Sequence, residues 1–195
     1  MKAMSVRIIA VFVLSLILPS LVQAQVGAKV SDFRMTDATG AEHSLQQYLS
    51  AGEVVVLQFW SFKCPISLGY DERLVALQRK YQNRGVRVLA IASNTNESPA
   101  EIQRNASSRN LPFPILIDRD GVLAERLGAT HTPAVFILSR DGVLRYRGAM
   151  DNNKQLGEGG RVSYAEDAID AILGGRTPSP SETKIVGCSI KGKAF

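Results

Sequence analysis

The chain has 195 residues, of which 45% are hydrophobic and 21% charged, a composition typical of one globular domain with a substantial core. The net charge is +5, but the basic residues are scattered and form no Lys/Arg run, which argues against a nucleic-acid-binding surface. The two cysteines, Cys64 and Cys188, exclude a disulfide-rich scaffold and allow only one internal pairing.

Residues 1–24 have the pattern of a secretory signal peptide. Lys2 and Arg7 form a positive start, residues 8–18 are apolar, and Ala24 ends a small-residue cleavage pattern. The apolar stretch is shorter than the about 20 residues that a membrane span needs, so an uncleaved anchor is the less favoured alternative. We therefore expect a periplasmic or secreted protein with no stable membrane association after cleavage. In such an oxidising compartment two cysteines can form a disulfide.

The mature chain begins with an extended lead-in over residues 27–43, with His43 on the surface. Ser44 is a good N-cap and predicts a short helix after it. Residues 53–60 are nearly continuously apolar and rich in valine. Such a run is typical of a central strand that is covered on both faces.

A helical period starts at Pro65 and continues to Asn83, and Gly85 is a typical stop for it. Residues 86–92 then predict a second buried strand. A capping box over residues 98–101 predicts the start of the next helix.

The second half predicts shorter elements: a strand at 113–118, a helix at 121–127, a hairpin with strands 134–139 and 143–148, and a helix at 164–173. The two long strands should be parallel through a right-handed crossover, and the hairpin antiparallel. The elements predict an α/β domain over residues 25–175, with a central mixed sheet and helices on both faces. Residues 176–195 are predicted to be a tail, either an extended strap or disordered, that carries Cys188.

Cys64 lies where the first strand gives way to a helix, and this position suits a reactive thiol. A free thiol has a pKa of about 8.5, and the N–H groups and dipole of a helix N-terminus lower it. Lys63 could add positive charge, and the Ser61 hydroxyl could donate a hydrogen bond to the thiolate. The alternative is a buried, inert cysteine.

Pro133 follows a short loop and opens a strand, so the Thr132-Pro133 bond is a plausible cis site. A cis proline facing the thiol would bare the backbone of Thr132 for pairing with a substrate chain. His131 is either a catalytic base or, as we prefer, a loop residue without a role. No group of His, Cys, Asp and Glu has metal-ligand spacing, so neither a metal nor a cofactor is expected.

Several segments resemble one family. Residues 30–33 (VSDF), 54–60 (VVVLQFW), 61–65 (SFKCP) and 128–138 (GATHTPAVFIL) are similar to the redoxin branch of the thioredoxin superfamily, which includes the AhpC/TSA peroxiredoxins and the TlpA-type thioredoxins. The ending KIVGCSIKGK resembles the GCSIK segment of bacterial peroxiredoxin-like proteins. The resemblance implies a thioredoxin-like fold with an N-terminal extension and a C-terminal tail.

The chain departs from this family at the motif that usually holds two cysteines. Ser61 stands at the place of the first cysteine in one alignment, and Ser67 at the place of the second in another. Peroxiredoxins also place an arginine beside the sulfur, from the strand where this chain has Thr132-Pro133. This chain has no arginine at that place; its nearest candidates for this role in sequence, Arg145 and Arg147, lie on the next predicted strand.

The resemblance implies that Cys64 attacks a peroxide or a protein disulfide, with electrons from a thiol donor. Cys188 would resolve the intermediate, within one chain or across a homodimer. Ser61 and Pro133 would support the chemistry, and the candidates for substrate contact are Trp60, Lys63, Pro65 and Thr132. Two alternatives remain: a binding module or chaperone that traps partners through Cys64, and a catalytically silent domain with a structural Cys64–Cys188 disulfide.

Overall fold

The computed structural model describes residues 24–152 and 162–192, so the predicted signal peptide lies outside the described residues except for Ala24. The described strands are β1 (Arg34–Thr36), β2 (Glu42–Ser44), β3 (Val54–Phe59), β4 (Val86–Ala92), β5 (Ile115–Ile117), β6 (His131–Thr132), β7 (Ala134–Leu138), β8 (Leu144–Gly148) and β9 (Cys188–Ser189). The described α-helices are α1 (Leu45–Ser50), α2 (Pro65–Leu68), α3 (Asp71–Tyr81), α4 (Pro99–Ser108), α5 (Val122–Leu127) and α6 (Tyr164–Leu173).

Five strands form the central sheet, in the order β5-β4-β3-β7-β8. Strand β4 runs parallel to β3 and β5, whereas β7 runs antiparallel to β3 and β8. The predicted parallel pair and antiparallel hairpin are therefore confirmed. Because β3 is central, its carboxyl end is flanked on both sides, and the loop that follows it is held at the middle of the sheet edge.

The central strand β3 is buried on both faces, as its run of valines predicts. Val54 and Val56 face a core cluster that also contains side chains of α3, α4 and α6. The alternate residues, including Leu57 and Phe59, face a second cluster with α1 and α5. Since successive side chains of a strand point to opposite faces, one apolar run supplies both cores.

The helix predicted from Pro65 to Asn83 is instead two helices, and this part of the prediction is wrong. Helix α2 ends at Leu68, and α3 begins at Asp71. The amide of Tyr70 donates to the carbonyl of Ser67, three residues back, which tightens the turn between them. The break places the Asp71 carboxylate at the start of α3, where it accepts a hydrogen bond from Nε1 of Trp60 at 2.8 Å.

Two of the predicted helix caps are confirmed in atomic detail. The hydroxyl of Ser44 accepts from the amide of Gln47, and that of Ser98 accepts from the amide of Glu101. In both cases the third helical residue returns a hydrogen bond to the cap amide, which completes a capping box. Ser163 occupies the cap position of α6, but its side chain makes no capping bond within the described ranges.

Residues 176–192, here called the strap, are extended and lie along the domain. This resolves the choice left open by the sequence. Near its start the strap forms backbone hydrogen bonds with β8. The amide of Arg147 donates to the carbonyl of Ser181, and the amide of Thr183 donates to the carbonyl of Arg147. Near its end β9 pairs antiparallel with β6. The strap therefore crosses from one edge of the sheet to the region of Cys64.

The expectation that His43 is a surface residue is wrong. Its ring is half-buried, and Nε2 lies 3.0 Å from Oδ2 of Asp37 while Nδ1 lies 2.5 Å from the hydroxyl of Tyr48. These contacts hold the β1–β2 hairpin against α1. Among the residues described, no helix is both long and apolar enough to cross a membrane.

Candidate active site

Cys64 is the N-cap residue of α2, five residues beyond the fully buried end of β3. Its side chain is 1% exposed, and its sulfur accepts from the amide of Ser67 at 3.5 Å. An amide that points at sulfur favours a negative charge there. The predicted strand-to-helix position of Cys64 is therefore confirmed.

Cys64 is joined to Cys188 by a disulfide, with a distance of 5.9 Å between the two Cα atoms. The two residues are 124 positions apart in sequence. Cys188 lies in β9, where it pairs with Thr132, while Ser189 pairs with His131. The one internal pairing that the sequence allows is present. Cys188 is held at the site both by the disulfide and by the backbone pairing of β9 with β6.

The carbonyl of Thr132, the residue before Pro133, lies directly against the sulfur of Cys64. The Thr132-Pro133 peptide bond is cis, as expected. Sγ of Cys64 lies 3.2 Å from the carbonyl oxygen of Thr132; because a disulfide sulfur carries no hydrogen, this is a contact, and the reduced thiol could donate to the same oxygen. Oγ1 of Thr132 is buried and has no hydrogen-bond partner among residues 24–152 and 162–192.

Ser61 and Ser67, the two serines at the places of the missing cysteines, are joined by a hydrogen bond. The amide of Ser61 donates to Oγ of Ser67 at 3.2 Å, and both residues are buried. Ser67 thus has two contacts at the site, because its own amide donates to the sulfur of Cys64. The pair closes the loop between β3 and α2 with hydrogen bonds.

The sequence suggested that the Ser61 hydroxyl donates a hydrogen bond to the sulfur of Cys64. In this disulfide-bonded structure the hydroxyl donates to Glu97 instead. Oγ of Ser61 lies 2.5 Å from Oε1 of Glu97, and the amide of Lys63 donates to the same oxygen at 3.1 Å. A carboxylate oxygen is a stronger hydrogen-bond acceptor than the neutral sulfur of a disulfide.

Glu97 was not among the site residues predicted from the sequence. It is 5% exposed, and its Oε2 accepts no hydrogen bond from any part of the chain that the structure describes. The sequence carried one signal: Glu97 lies in the loop after β4, and the carboxyl ends of the parallel strands β3 and β4 meet at one sheet edge. Glu97 fixes the backbone immediately before Cys64.

The remaining predicted residues have varied positions. Trp60 is 0% exposed, so its ring offers no surface to a substrate in this disulfide-bonded form. The exposed Lys63 donates its ammonium to the carbonyl of Asn96 and lies over the Phe62 ring, 5.5 Å from the centroid. Pro65 is exposed at the first position of α2.

A cavity of about 240 Å³ opens beside α2 and the strap. Ile66 and Val186 lie on it and are 38% and 43% exposed. Its polar wall includes Tyr70, whose hydroxyl donates to Asp151 at 2.9 Å. Burial, together with this hydrogen bond and the charge of Asp151, raises the pKa of Tyr70 to about 12, so the phenol stays neutral.

Arg145 and Arg147 are both engaged elsewhere. Arg145 pairs with Asp141, and Arg147 pairs with Glu182 of the strap at 2.9 Å. Neither ion pair involves the sulfur atoms. In the described part of the chain, no group of three or more His, Cys, Asp or Glu residues is placed to hold a metal ion.

The model of the AhpC/TSA family matches residues 26–147. The thiol-disulfide oxidoreductase ResA of Geobacillus thermodenitrificans is 31% identical over 123 residues, which are 62% of this chain and 67% of ResA. The thiol:disulfide interchange protein DsbE of Yersinia pestis is 30% identical over 134 residues, 68% of this chain and 69% of DsbE.

Two solved structures cover more of the chain. An uncharacterized conserved protein from Geobacillus kaustophilus has a TM-score of 0.78 and 31% identity, covering 88% of this chain and 94% of that one. A hypothetical protein from Sinorhizobium meliloti 1021 has a TM-score of 0.79 and 27% identity, covering 89% and 97%. A DsbE-type structure from Chlorobium tepidum, at 22% identity and a TM-score of 0.58, shares the thioredoxin-like fold.

Proposed function

The chain belongs to the AhpC/TSA family, and on that premise we propose that it is an exported thiol-disulfide oxidoreductase. Cys64 is its nucleophile, and Cys188 is its resolving cysteine within the same chain. The observation that carries the proposal is the disulfide between a buried N-cap cysteine and a cysteine on a backbone-paired strap.

The catalytic cycle uses two electrons and two protons. A dithiol donor reduces the Cys64–Cys188 disulfide to two thiols and becomes a disulfide itself. The Cys64 thiolate then attacks a protein disulfide, forming a mixed disulfide and releasing one partner sulfur as a thiolate. The Cys188 thiolate attacks Sγ of Cys64, which restores the internal disulfide and releases the partner as a dithiol.

The contacts around Cys64 suit the first attack. The Ser67 amide favours the thiolate, whereas a hydrogen bond from the thiol to the neighbouring carbonyl of Thr132 favours the protonated resting form. Ser61 and Glu97 keep the loop before Cys64 in place. The carbonyl of Thr132, which precedes the cis Pro133, lies against the sulfur.

Protein disulfides are the proposed substrates, since ResA and DsbE are named as thiol-disulfide oxidoreductase and thiol:disulfide interchange protein. The signal-like pattern of residues 1–24 supports export, where such substrates occur. Export is tested by the N-terminal sequence of the protein recovered from the periplasm or medium, which should begin at Gln25.

The test of the activity is insulin reduction by dithiothreitol, followed by the turbidity of the free B chain. The mature protein should accelerate the reaction over dithiothreitol alone, and Cys64→Ser should abolish the acceleration. Equal rates for the two proteins would overturn the proposal. Ser189→Ala, an exposed change next to Cys188, is the matched control and should react like the parent.

Peroxide consumption is the second candidate, favoured by the AhpC/TSA match and by the SFKCP sequence. Here the Cys64 thiolate would attack one peroxide oxygen and break the O–O bond, so that the sulfur becomes a sulfenic acid and the other oxygen leaves as an alcohol or water. The Cys188 thiol would then condense with the sulfenic acid to give the disulfide and a molecule of water. Peroxide turnover without insulin reduction would replace the first proposal with this one. If neither reaction is seen, the disulfide is structural or the site serves only to bind partners.

A further inference from the structure

We propose that the strap is a built-in competitor of an extended polypeptide partner for pairing with β6, the strand His131–Thr132 that precedes the cis Pro133. This inference rests on the proposed oxidoreductase function and adds how the partner is bound and released. The strap covers β6 in the oxidised protein, leaves it after reduction, and returns to expel the partner as Cys188 resolves the mixed disulfide.

The strap itself shows what kind of chain fits β6. Strand β9 pairs antiparallel with β6, with Cys188 opposite Thr132, and in this register its sulfur is bonded to Cys64. A partner chain that pairs in the same register would present its own cysteine to Cys64 in the same way. Backbone pairing accepts many sequences, because the hydrogen bonds come from the main chain.

Close approach of the strap to β6 depends on Gly187. A Cβ atom at this position would lie 2.1 Å from the carbonyl oxygen of Thr132 and 2.7 Å from its carbonyl carbon. No side chain fits there without moving the strap away from β6. The same carbonyl lies against the sulfur of Cys64, so the glycine places the strap against the reacting atoms.

The strap is held at both ends by contacts that do not need the disulfide. Upstream, the hydroxyl of Thr183 accepts from the amide of Ala149 at 3.0 Å. Downstream, the amide of Ile190 donates to the carbonyl of Thr130, and the carbonyl of Lys191 accepts from the amide of Thr95. These anchors keep the reduced strap close to β6, so that Cys188 returns at a high effective concentration.

One strand edge pairs with one strand, so the partner and β9 exclude each other. The first attack requires the edge to be open, whereas the attack of Cys188 requires β9 to be back on it. Any change that weakens β9 pairing should therefore speed the first step and slow the second. A change that merely loosens the domain has no reason to move the two steps in opposite directions.

The experiment uses the full mature chain and a probe made from its own strap. The probe is a synthetic peptide of residues 184–192 whose cysteine carries thionitrobenzoate as a mixed disulfide. Attack of Cys64 on the peptide sulfur releases thionitrobenzoate, which is followed by absorbance. Attack of Cys188 on Sγ of Cys64 then releases the peptide thiol, which is followed by acid quenching and mass spectrometry.

For Gly187→Ala we expect release of thionitrobenzoate to be about threefold to tenfold faster and release of the peptide to be slower by a similar factor. A change of this size corresponds to the loss of about one backbone hydrogen bond between β9 and β6. Ser107→Ala, an exposed change on α4 away from the strap, should change neither step. Ile190→Ala, which loses a half-buried anchor of the strap on the core, is a second variant and should act in the same direction as Gly187→Ala.

Equal effects on both steps, or no effect from either strap variant, would overturn the inference. Its failure can be told apart from that of the proposed function. If the protein reduces insulin but the strap variants leave the probe kinetics unchanged, only the inference of strap competition is refuted. If the probe kinetics change as expected in the variants but the protein does not reduce insulin, only the proposed function is refuted. If the parent protein releases no thionitrobenzoate, both are refuted.

Discussion

Replacing Glu97 tests whether this buried carboxylate holds the loop that presents Cys64. Its Oε1 accepts hydrogen bonds from the Ser61 hydroxyl and the Lys63 amide, while its Oε2 has no partner in the described ranges. Glu97→Gln keeps an acceptor oxygen of the same shape but removes the charge. Glu97→Ala removes the acceptor and leaves the Ser61 hydroxyl buried without it.

The two variants should differ clearly in stability. A hydrogen bond to a charged group contributes about 1.5–3 kcal/mol, and a buried donor left unpaired costs a similar amount, so Glu97→Ala should lower the free energy of unfolding by about 2–4 kcal/mol. Glu97→Gln should lie within about 1 kcal/mol of the parent, because a buried carboxylate with one unpartnered oxygen is itself costly.

The assay is urea unfolding of the oxidised proteins, with Glu42→Gln, an exposed strand residue, as the control for loss of one negative charge. In the reduced proteins, Glu97→Gln should also speed the alkylation of Cys64 by iodoacetamide at neutral pH, because removal of a nearby negative charge favours the thiolate. If Gln destabilises as much as Ala, the loop is not held by this acceptor, and the reasoning is refuted.

Three further outcomes follow from other contacts. Cys188→Ser should lower the free energy of unfolding by up to about 5 kcal/mol in urea, because the disulfide to Cys64 closes a loop spanning 124 positions in the unfolded chain; a loss below about 1 kcal/mol would contradict this. Burial raises the pKa of Asp37, but the hydrogen bonds that its carboxylate accepts outweigh burial and hold that pKa below its usual value. The ionised Asp37 therefore stabilises the fold fully above its unfolded pKa of about 4, and this stabilisation is lost as the pH falls through the lower folded pKa. The urea midpoint of Asp37→Asn should decrease less than that of the parent as the pH is lowered. An equal decrease in the two proteins would count against this reasoning. Trp60→Phe should cost about 1–3 kcal/mol in urea at neutral pH, because Asp71 loses a buried hydrogen bond; an unchanged midpoint would be the contrary result.

The elements of the fold could be predicted well because their signals are local. The valine run of β3 fixes a strand covered on both faces, and Ser44 and Ser98 fix the starts of two helices through capping boxes. The break between α2 and α3 could not be predicted in this way. It depends on the turn at Tyr70 and on the contact between Trp60 and Asp71, and the apolar period runs through both helices.

The site was predictable where one position decides the chemistry. Cys64 at a strand-to-helix junction and a cis bond before Pro133 are both present. The hydrogen bond of Ser61 to Glu97 in the disulfide-bonded form was not predicted, because Glu97 comes from a distant loop. Such partners have no spacing rule in sequence. They follow from which strands are neighbours in the sheet.

The strap illustrates the same limit. Its prolines and lack of a period leave an extended or a disordered tail equally compatible with the sequence. What orders it is pairing with β6 and β8, far away in the chain. Gly187 carries no signal of its own until the carbonyl of Thr132 is known to lie against it.

The most direct test of the cycle is the product formed when the reduced protein, freed of dithiol, reacts with an excess of insulin. With Cys188→Ser, we expect one equivalent of insulin chain bound to Cys64 as a stable mixed disulfide, identified by peptide mapping. The parent protein should instead yield the Cys64–Cys188 disulfide and free insulin thiols. Release of insulin by Cys188→Ser at the parent rate, or attachment of insulin to Cys188 in Cys64→Ser, would contradict the assignment of nucleophile and resolving cysteine.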